Sequence, residues 1–246
     1  MFFKKEDDET SVWISNTDLM SGLLVLFLFI SIIMTQGLSD ANKKIREITG
    51  QSESAQQELK ANIEDNFTSE EIKKYHLDKE IGAASFDEGG RFNVGSSKLT
   101  PEFQKTLKNF LPKYLKSIND QYEKDPDSIK EIRIEGHTSS EWEQINENNA
   151  TSLSDDEKYI KNMELSQSRT REIINFALSL PELQPYHKLI KEKLTANGLS
   201  SSKVKVFAGT NIEDKEASRR IEFRVVANDQ ETIDKLRKEV GTIHGK

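Results

Sequence analysis

Between Glu9 and Asp40 the chain carries a single charged side chain, Asp18, and the run Leu19 to Met34, LMSGLLVLFLFISIIM, is almost wholly apolar. From Val12 to Met34 a helix rising ~1.5 Å per residue extends roughly 34 Å, enough to cross a hydrocarbon core of ~30 Å. A membrane helix is therefore expected over residues 12–36, behind a short tail at 1–11. A cleaved signal peptide fits less well: it needs a basic start, an apolar run of about 7 to 15 residues and a small-residue cleavage site. Here the start, FFKKEDDE, is mixed, the run is longer and no A-x-A follows. Lys4 and Lys5 precede the helix while Lys43, Lys44 and Arg46 follow it, so the bias of basic residues toward the cytoplasm does not fix the orientation.

Asp18 stands about 9 Å of helix rise beyond Val12. An ionised acid at mid-membrane costs on the order of 3 kcal/mol, so an intramembrane carboxylate is read as functional by default. It can load and release a proton, or its hard oxygens can ligate sodium; the sequence leaves both open. Ser21 and Gly22, three and four residues on, share its face and allow a partner helix to approach closely. In a second reading Asn16, Thr17 and Asp18 cap a helix that begins only at Leu19. That leaves roughly 24 Å of apolar helix, short for a span.

The remainder of the 246 residues is polar, with a mean hydropathy of -0.67 over the chain and a net charge of -7. No basic stripe is present, which argues against a nucleic-acid partner. The absence of cysteine excludes disulfides, thiolate catalysis and Cys-ligated metal. His76, His137, His187 and His244 are scattered without a second ligand at metal-binding spacing, so no metal site is expected. The glycines of GGRFNVG (89–95) lack a following Gly-Lys-Ser/Thr and read as a turn, not a phosphate cradle. No positioned base accompanies the serines around Arg169, and neither an enzyme nor a cofactor beyond a translocated ion is expected.

From Asp40 to Lys60 the chain is polar, with Ile45, Ile48, Ala55 and Leu59 at loosely helical spacing; it is either a helix that pairs with a second copy or a solvated tether. The linker is taken as 37–81. Thr68 and Glu71 form a capping box opening a short helix toward Glu80. Thr100 and Pro101 start another, with Phe103, Leu107, Phe110, Leu111, Tyr114, Leu115 and Ile118 on one face; Pro112 is predicted to kink it or end it near Leu111. Alternation marks strands at Ile132–Ile134, Val204–Val206 and Ile221–Val225, with a helix from Asn162 to Leu180 between the first two. Strands alternating with helices imply an α/β sandwich, a mixed sheet with helices packed on one face, over 82–228, followed by a C-terminal helix or tail at 229–246.

Three runs, IRIEGHTSS (132–140), NMELSQSRTREIINFAL (162–178) and SRRIEF (218–223), resemble the OmpA-like peptidoglycan-binding domain. That family places a helix Arg and an Asp after Thr against the diaminopimelate of a peptidoglycan stem peptide. The resemblance implies peptidoglycan contacts at Thr138, Ser139, Asn162, Leu165, Arg169 and Arg219. A guanidinium holds a carboxylate through two parallel hydrogen bonds. Ser139 stands where the family has Asp, and Glu141 or Asp155 in the long 141–161 stretch is the candidate replacement for that charge. Arg219 and Arg220 are open between structural and ligand-facing roles.

With its membrane run WISNTDLMSGLLVLFLFISIIM, the whole chain resembles the MotB-type stator subunits of the flagellar motor and, more closely, the ZorB family of the Zorya anti-phage defence system. The resemblance implies a homodimer in the lipid bilayer, threaded through a pentameric ring of a multi-helix ZorA-like partner. Its N-terminus would be cytoplasmic and its C-terminal domain periplasmic, gripping peptidoglycan, with Asp18 as ion carrier. A flagellar stator subunit and a passive envelope tether are the alternatives.

Overall fold

The computed structural model describes residues 6–87, 91–142 and 153–227, and the chain divides into two compact units, Met1–Gln51 and Ser52–Lys246. The C-terminal segment expected at 229–246, Gly89 and Gly90, and the middle of the 141–161 stretch lie outside the described residues.

Helix α1 spans Glu6–Asn66. Among the described residues its stretch Thr17–Gly37, of mean hydropathy 2.2, is long and apolar enough to cross a membrane, and its large side chains are exposed on all sides. Because α1 starts at Glu6, Asp18 lies inside a formed helix, and the reading of Asn16, Thr17 and Asp18 as an N-cap is overturned.

The second unit begins in the last turns of α1, where Leu59 and Ile63, one turn apart, are buried in the domain core. Leu59, expected to face a second copy or solvent, thus serves its own domain. Asn62 Nδ2 donates to Ser117 O at 3.1 Å and Ser117 Oγ donates to Asn62 O at 3.2 Å, a reciprocal clasp onto α3. Helix α2, Ser69–Lys74, carries the expected capping box, with Thr68 accepting from the Glu71 amide and Glu71 reaching back to Thr68. It stops at Lys74, short of Glu80.

Helix α3, Pro101–Lys124, begins on the Thr100 cap as expected but continues past Pro112, so an end near Leu111 is corrected. A proline in a helix interior costs about 3 kcal/mol. Here seven buried apolar side chains between Phe103 and Ile118 lie on both sides of it, and their burial at ~1.5–3 kcal/mol each outweighs that loss.

The four-stranded sheet has the order β1-β6-β2-β3, from β1 (Ala84–Asp87), β2 (Ile129–His137), β3 (Leu194–Gly198) and β6 (Arg220–Ala227). β2 pairs parallel with β3, and β6 pairs antiparallel with both β1 and β2. This is the expected mixed α/β sandwich. One strand assignment is corrected: Val204–Val206 is not part of this sheet. Lys205–Val206 forms exposed β4, paired with β5 (Glu213–Asp214) in a separate hairpin, and the sheet position beside β2 goes to LTANG.

Ile132, Ile134, Ile221 and Phe223 point to one face of the sheet, where α3 and α4 (Asp155–Ser179) cover them. Phe110 of α3 is the hub of an aromatic cluster, with ring centroids 4.9 Å from Tyr114, 5.0 Å from Phe86, 5.2 Å from Tyr75 and 5.3 Å from Phe223. Helix α4 starts at Asp155, a full turn and more before the expected Asn162, on a second capping box, Ser154 with Glu157. A short 3-10 helix, Pro181–Tyr186, and α5, His187–Lys193, lead into β3.

Helix α4 lies against β2 and β3 at backbone distance because the strands present glycine there. A Cβ on Gly136 would meet Ser166 O at 2.8 Å, and one on Gly198 would meet Gln167 Cα at 2.7 Å. The Gln167 amide then caps the outer edge of β3, with Nε2 donating to Ala196 O at 3.1 Å and Oε1 accepting from the Gly198 amide at 2.7 Å. Replacing Gly198 with Ala is expected to lower unfolding stability by about 1–3 kcal/mol through this overpacking, without change of fold. Urea unfolding of the full chain in detergent measures it; a midpoint equal to wild type contradicts the close approach.

Candidate functional site

In the first unit Asp18 is exposed on α1 near one end of the apolar stretch. Ser21 Oγ donates back to Thr17 O at 2.8 Å, so this hydroxyl is turned onto its own helix. A Cβ on Gly22 would meet nothing within 4 Å, which leaves that face flat beside the acid.

In the second unit the structure gathers most of the residues assigned to peptidoglycan at the ends of β2 and β3, under α4. Asn162, Ser166, Arg169, Thr170 and Ile173 form the buried stripe of α4. Asn162 Nδ2 donates to Ser139 O at 3.2 Å and Glu141 O at 3.1 Å, fixing the turn that leaves β2. The Thr138 amide donates to Ser200 O at 2.9 Å; Ser200 Oγ in turn donates to Tyr159 O and its amide to Ser166 Oγ. Ser200 holds a left-handed φ of 50° to make these three bonds. The Thr138 hydroxyl is buried and without a hydrogen-bond partner, and Ser139 is buried beside it.

Arg169 is 4% exposed. Its Nε donates to Ser96 O at 3.0 Å and its guanidinium lies 4.9 Å above the Phe92 ring, so residues 92–96 form one wall around it. Leu165 is half-buried on the same helix. Arg219, half-buried at the end of α6 (Lys215–Ser218), stands apart from its neighbour Arg220. Arg220 is buried, with Nε on Glu222 and Nη1 on the carbonyls of Lys203 and Ser218, so these contacts tie it into the fold. An open cleft of about 770 Å³ adjoins Ser139, lined by Ser140, Glu141, Trp142, Asp155, Tyr159 and Ser201 among others. Of the acids proposed to replace the missing Asp, Glu141 is paired with Lys215 and Asp155 with Lys158 at 3.0 Å, and both line this cleft.

A further cluster lies on the sheet face away from the helices. Arg133 stands directly across from Arg224, and Glu135 from Glu222, with His137 across from Arg220. Like charges opposed across strands are destabilising; neighbours along each strand compensate, Arg133 with Glu131 and Glu135, Arg220 with Glu222. His137 Nε2 lies 3.5 Å from Glu135 Oε2 and 3.7 Å from Glu222 Oε2, distances beyond an ordinary hydrogen bond. The sequence offered no second ligand for His137, and the structure corrects this by bringing two carboxylates to it. Glu135 at i-2 was legible as sharing its strand face; Glu222 depended on a register the sequence does not contain. The His137 imidazole beside Glu135 holds this carboxyl down to about 2 against the opposing effect of burial, with Lys203 and Arg224 adding to it. Burial works to raise the Glu222 carboxyl, but the hydrogen bond and charge of Arg220 outweigh it and the net direction is downward.

Among the described residues one helical stretch of membrane length carries a single carboxylate, Asp18, and the same chain forms a mixed α/β sandwich. No protein-family model matches the chain. It is 32% identical over 238 residues to the Zorya protein ZorB of Escherichia coli strain Crooks, covering 94% of each, and 27% identical over 232 residues to the ZorB of Escherichia coli O139:H28, covering 90% of this chain and 82% of that one. The chain belongs to the ZorB family. Similar solved structures include a MotB-like protein from Desulfovibrio vulgaris (16% identity, 74% of this chain and 98% of that one, TM-score 0.42) and the cell wall anchor of the type VI secretion system from Pseudomonas aeruginosa (18%, 65% and 93%, TM-score 0.35).

The depressed Glu135 carboxyl makes stability pH-dependent. Its contribution is fully present above the unfolded value of 4.5 and is lost as pH falls through about 2. The gap corresponds to at most about 3 kcal/mol. In EDTA-containing buffer Glu135→Gln is expected to be less stable than wild type at neutral pH and to converge with it near pH 2; a constant difference across that range rules out the ion-pair account.

Proposed function

We propose that this protein is the peptidoglycan-anchored inner-membrane subunit of an ion-driven rotary motor acting in anti-phage defence, in which Asp18 carries a proton or sodium ion. The observation that carries the proposal is the placement of Asp18, a carboxylate on the exposed surface of a continuous helix at the start of its membrane-length apolar stretch. Membership of the ZorB family over nearly the whole chain supports it. A lone charge in such a position lowers the stability of insertion by on the order of 3 kcal/mol and is retained where it handles ions. Each elementary charge passing down 100 mV releases about 2.3 kcal/mol, enough to drive a mechanical step.

In this reading the chain is a homodimer within a pentameric ZorA-like ring, with its N-terminus in the cytoplasm and its α/β unit in the periplasm. The flat surface at Gly22 admits a close-packed partner helix beside Asp18. The wall is held at Thr138, Ser139, Asn162, Leu165, Arg169 and Arg219. Asn162 orders the Ser139–Glu141 turn, and Arg169 supplies the cation for a stem-peptide carboxylate.

Two substitutions separate motor from tether. Asp18→Asn is expected to express and insert as wild type, to sediment with peptidoglycan sacculi as wild type, and to lose phage protection to the level of an empty vector. Arg169→Ala is expected to lose most sacculus binding and, with it, protection. Full protection by the Asp18→Asn protein sinks the ion-carrier role and leaves a passive tether.

A further inference from the structure

The cluster on the outer face of the sheet is built around a side chain that its surroundings do not satisfy. His137 is 2% exposed, and neither of its ring nitrogens has a hydrogen-bond partner; Glu135 Oε2, which faces it, is likewise buried and unpartnered. Buried polar atoms are almost always hydrogen-bonded, so an imidazole and a carboxylate oxygen that face each other without a hydrogen bond mark a place where a ligand fits.

The donor set identifies that ligand. Each glutamate has one oxygen tied down and one turned inward: Glu135 Oε1 lies 3.4 Å from Arg133 Nη1, and Glu222 Oε1 accepts from Arg220 Nε at 2.6 Å. The two Oε2 atoms are the ones that converge on His137 Nε2, and the three groups lie within 4.8 Å of one another. Carboxylate ligands of metals are held in this way, by hydrogen bonds to the oxygen that does not ligate. In a tetrahedral shell with metal–nitrogen and metal–oxygen bonds of ~2.0–2.2 Å, adjacent donor atoms are roughly 3.3–3.5 Å apart. The separations of His137 Nε2 from the two oxygens, 3.5 and 3.7 Å, need a contraction of at most a few tenths of an ångström, and the two oxygens lie within 4.8 Å of each other. One imidazole with two carboxylates suits zinc and neighbouring first-row ions better than calcium or magnesium, which call for all-oxygen shells of six or more ligands.

We propose that Glu135, His137 and Glu222 form a three-ligand site for a divalent transition-metal ion, with zinc the best match, clamping β2 to β6 beside Thr138 and Ser139. Lys203 Nζ, 3.6 Å from Glu135 Oε2, occupies the cation's place in part; its side chain is 53% exposed and swings into solvent when the ion enters. That gives the proposal a signature which adventitious surface binding lacks, because removing the lysine should strengthen the site.

The test is equilibrium dialysis of the tag-free full chain in detergent against zinc chloride, with cobalt chloride as a spectroscopic substitute. Wild type is expected to bind one zinc per chain and to give the intense visible absorption of low-coordinate cobalt. Glu135→Gln and Glu222→Gln, which keep the side-chain shape, should each weaken binding by about 10-fold or more, the scale on which even outer-shell losses act. Lys203→Ala should tighten it. A wild-type chain that binds no zinc, glutamine variants that bind as wild type does, or a Lys203→Ala chain that binds more weakly overturns the proposal.

Discussion

The arrangement of the α/β unit depends on how closely α4 can lie on the sheet. Gly136 and Gly198 stand opposite Ser166 and Gln167, and any side chain at either glycine would collide with helix backbone. With that approach allowed, the polar side chains of α4 reach the strand ends directly. Ser166 Oγ receives the Ser200 amide, Gln167 caps the edge of β3, and Asn162 ties the turn after β2. The buried position of Arg169, two turns along from Asn162 on the same stripe, follows from the same approach. The proposed grip on the cell wall is thus a consequence of two absent Cβ atoms.

The sheet divides its two faces sharply. The helix side is neutral and aromatic, centred on Phe110 and Phe223, where close edge-to-face contacts add about 0.5–1.5 kcal/mol per pair beyond area burial. The other side carries bands of charge, Arg133 with Arg224 and Glu135 with Glu222, each opposed to its own kind across the strands. Such a face is tolerable because its ion pairs run along the strands, Arg133 with Glu131 and Glu135, and Arg220 with Glu222. His137, buried between the two carboxylates, is where that compensation is incomplete.

Local signals carried most of what the sequence revealed. The Thr68–Glu71 box and the Thr100–Pro101 start both formed as read, since capping involves only residues three apart. The Ser154–Glu157 box is equally local and lies inside the long 141–161 stretch between the two motifs. What failed was governed by distant partners. LTANG has no apolar alternation, yet becomes a sheet strand because β2 pairs beside it and Gln167 covers its edge, while the alternating Val204–Val206 stays outside the main sheet in the β4–β5 hairpin. Pro112 was tolerated because of core contacts that periodicity alone does not weigh. The Glu135–His137–Glu222 cluster was half legible: strand alternation puts Glu135 and His137 on one face, but the antiparallel register that adds Glu222 is a tertiary fact.

The replacement of the family's aspartate by Ser139 bears on the proposed grip in a definite way. Ser139 is buried, and its carbonyl is engaged by Asn162, so it contributes shape and not charge. Two carboxylates at the Ser140–Glu141 turn are already paired: Glu213 accepts from the Ser140 amide at 3.0 Å, and Glu141 meets Lys215. Both members of the Glu141–Lys215 pair are about half exposed, at 44% and 47%, and an ion pair so open to solvent is worth at most about 1 kcal/mol. Under the proposed function a stem-peptide ammonium group arriving in the cleft would exchange with Lys215 at little cost, and Glu141 would be the anion it meets in place of an aspartate at 139. The cationic half of the clasp, Arg169, is buried and held by Ser96 and Phe92. Under the proposed function the grip is then rigid at its arginine end and exchangeable at its acidic end, a division that follows from burial alone.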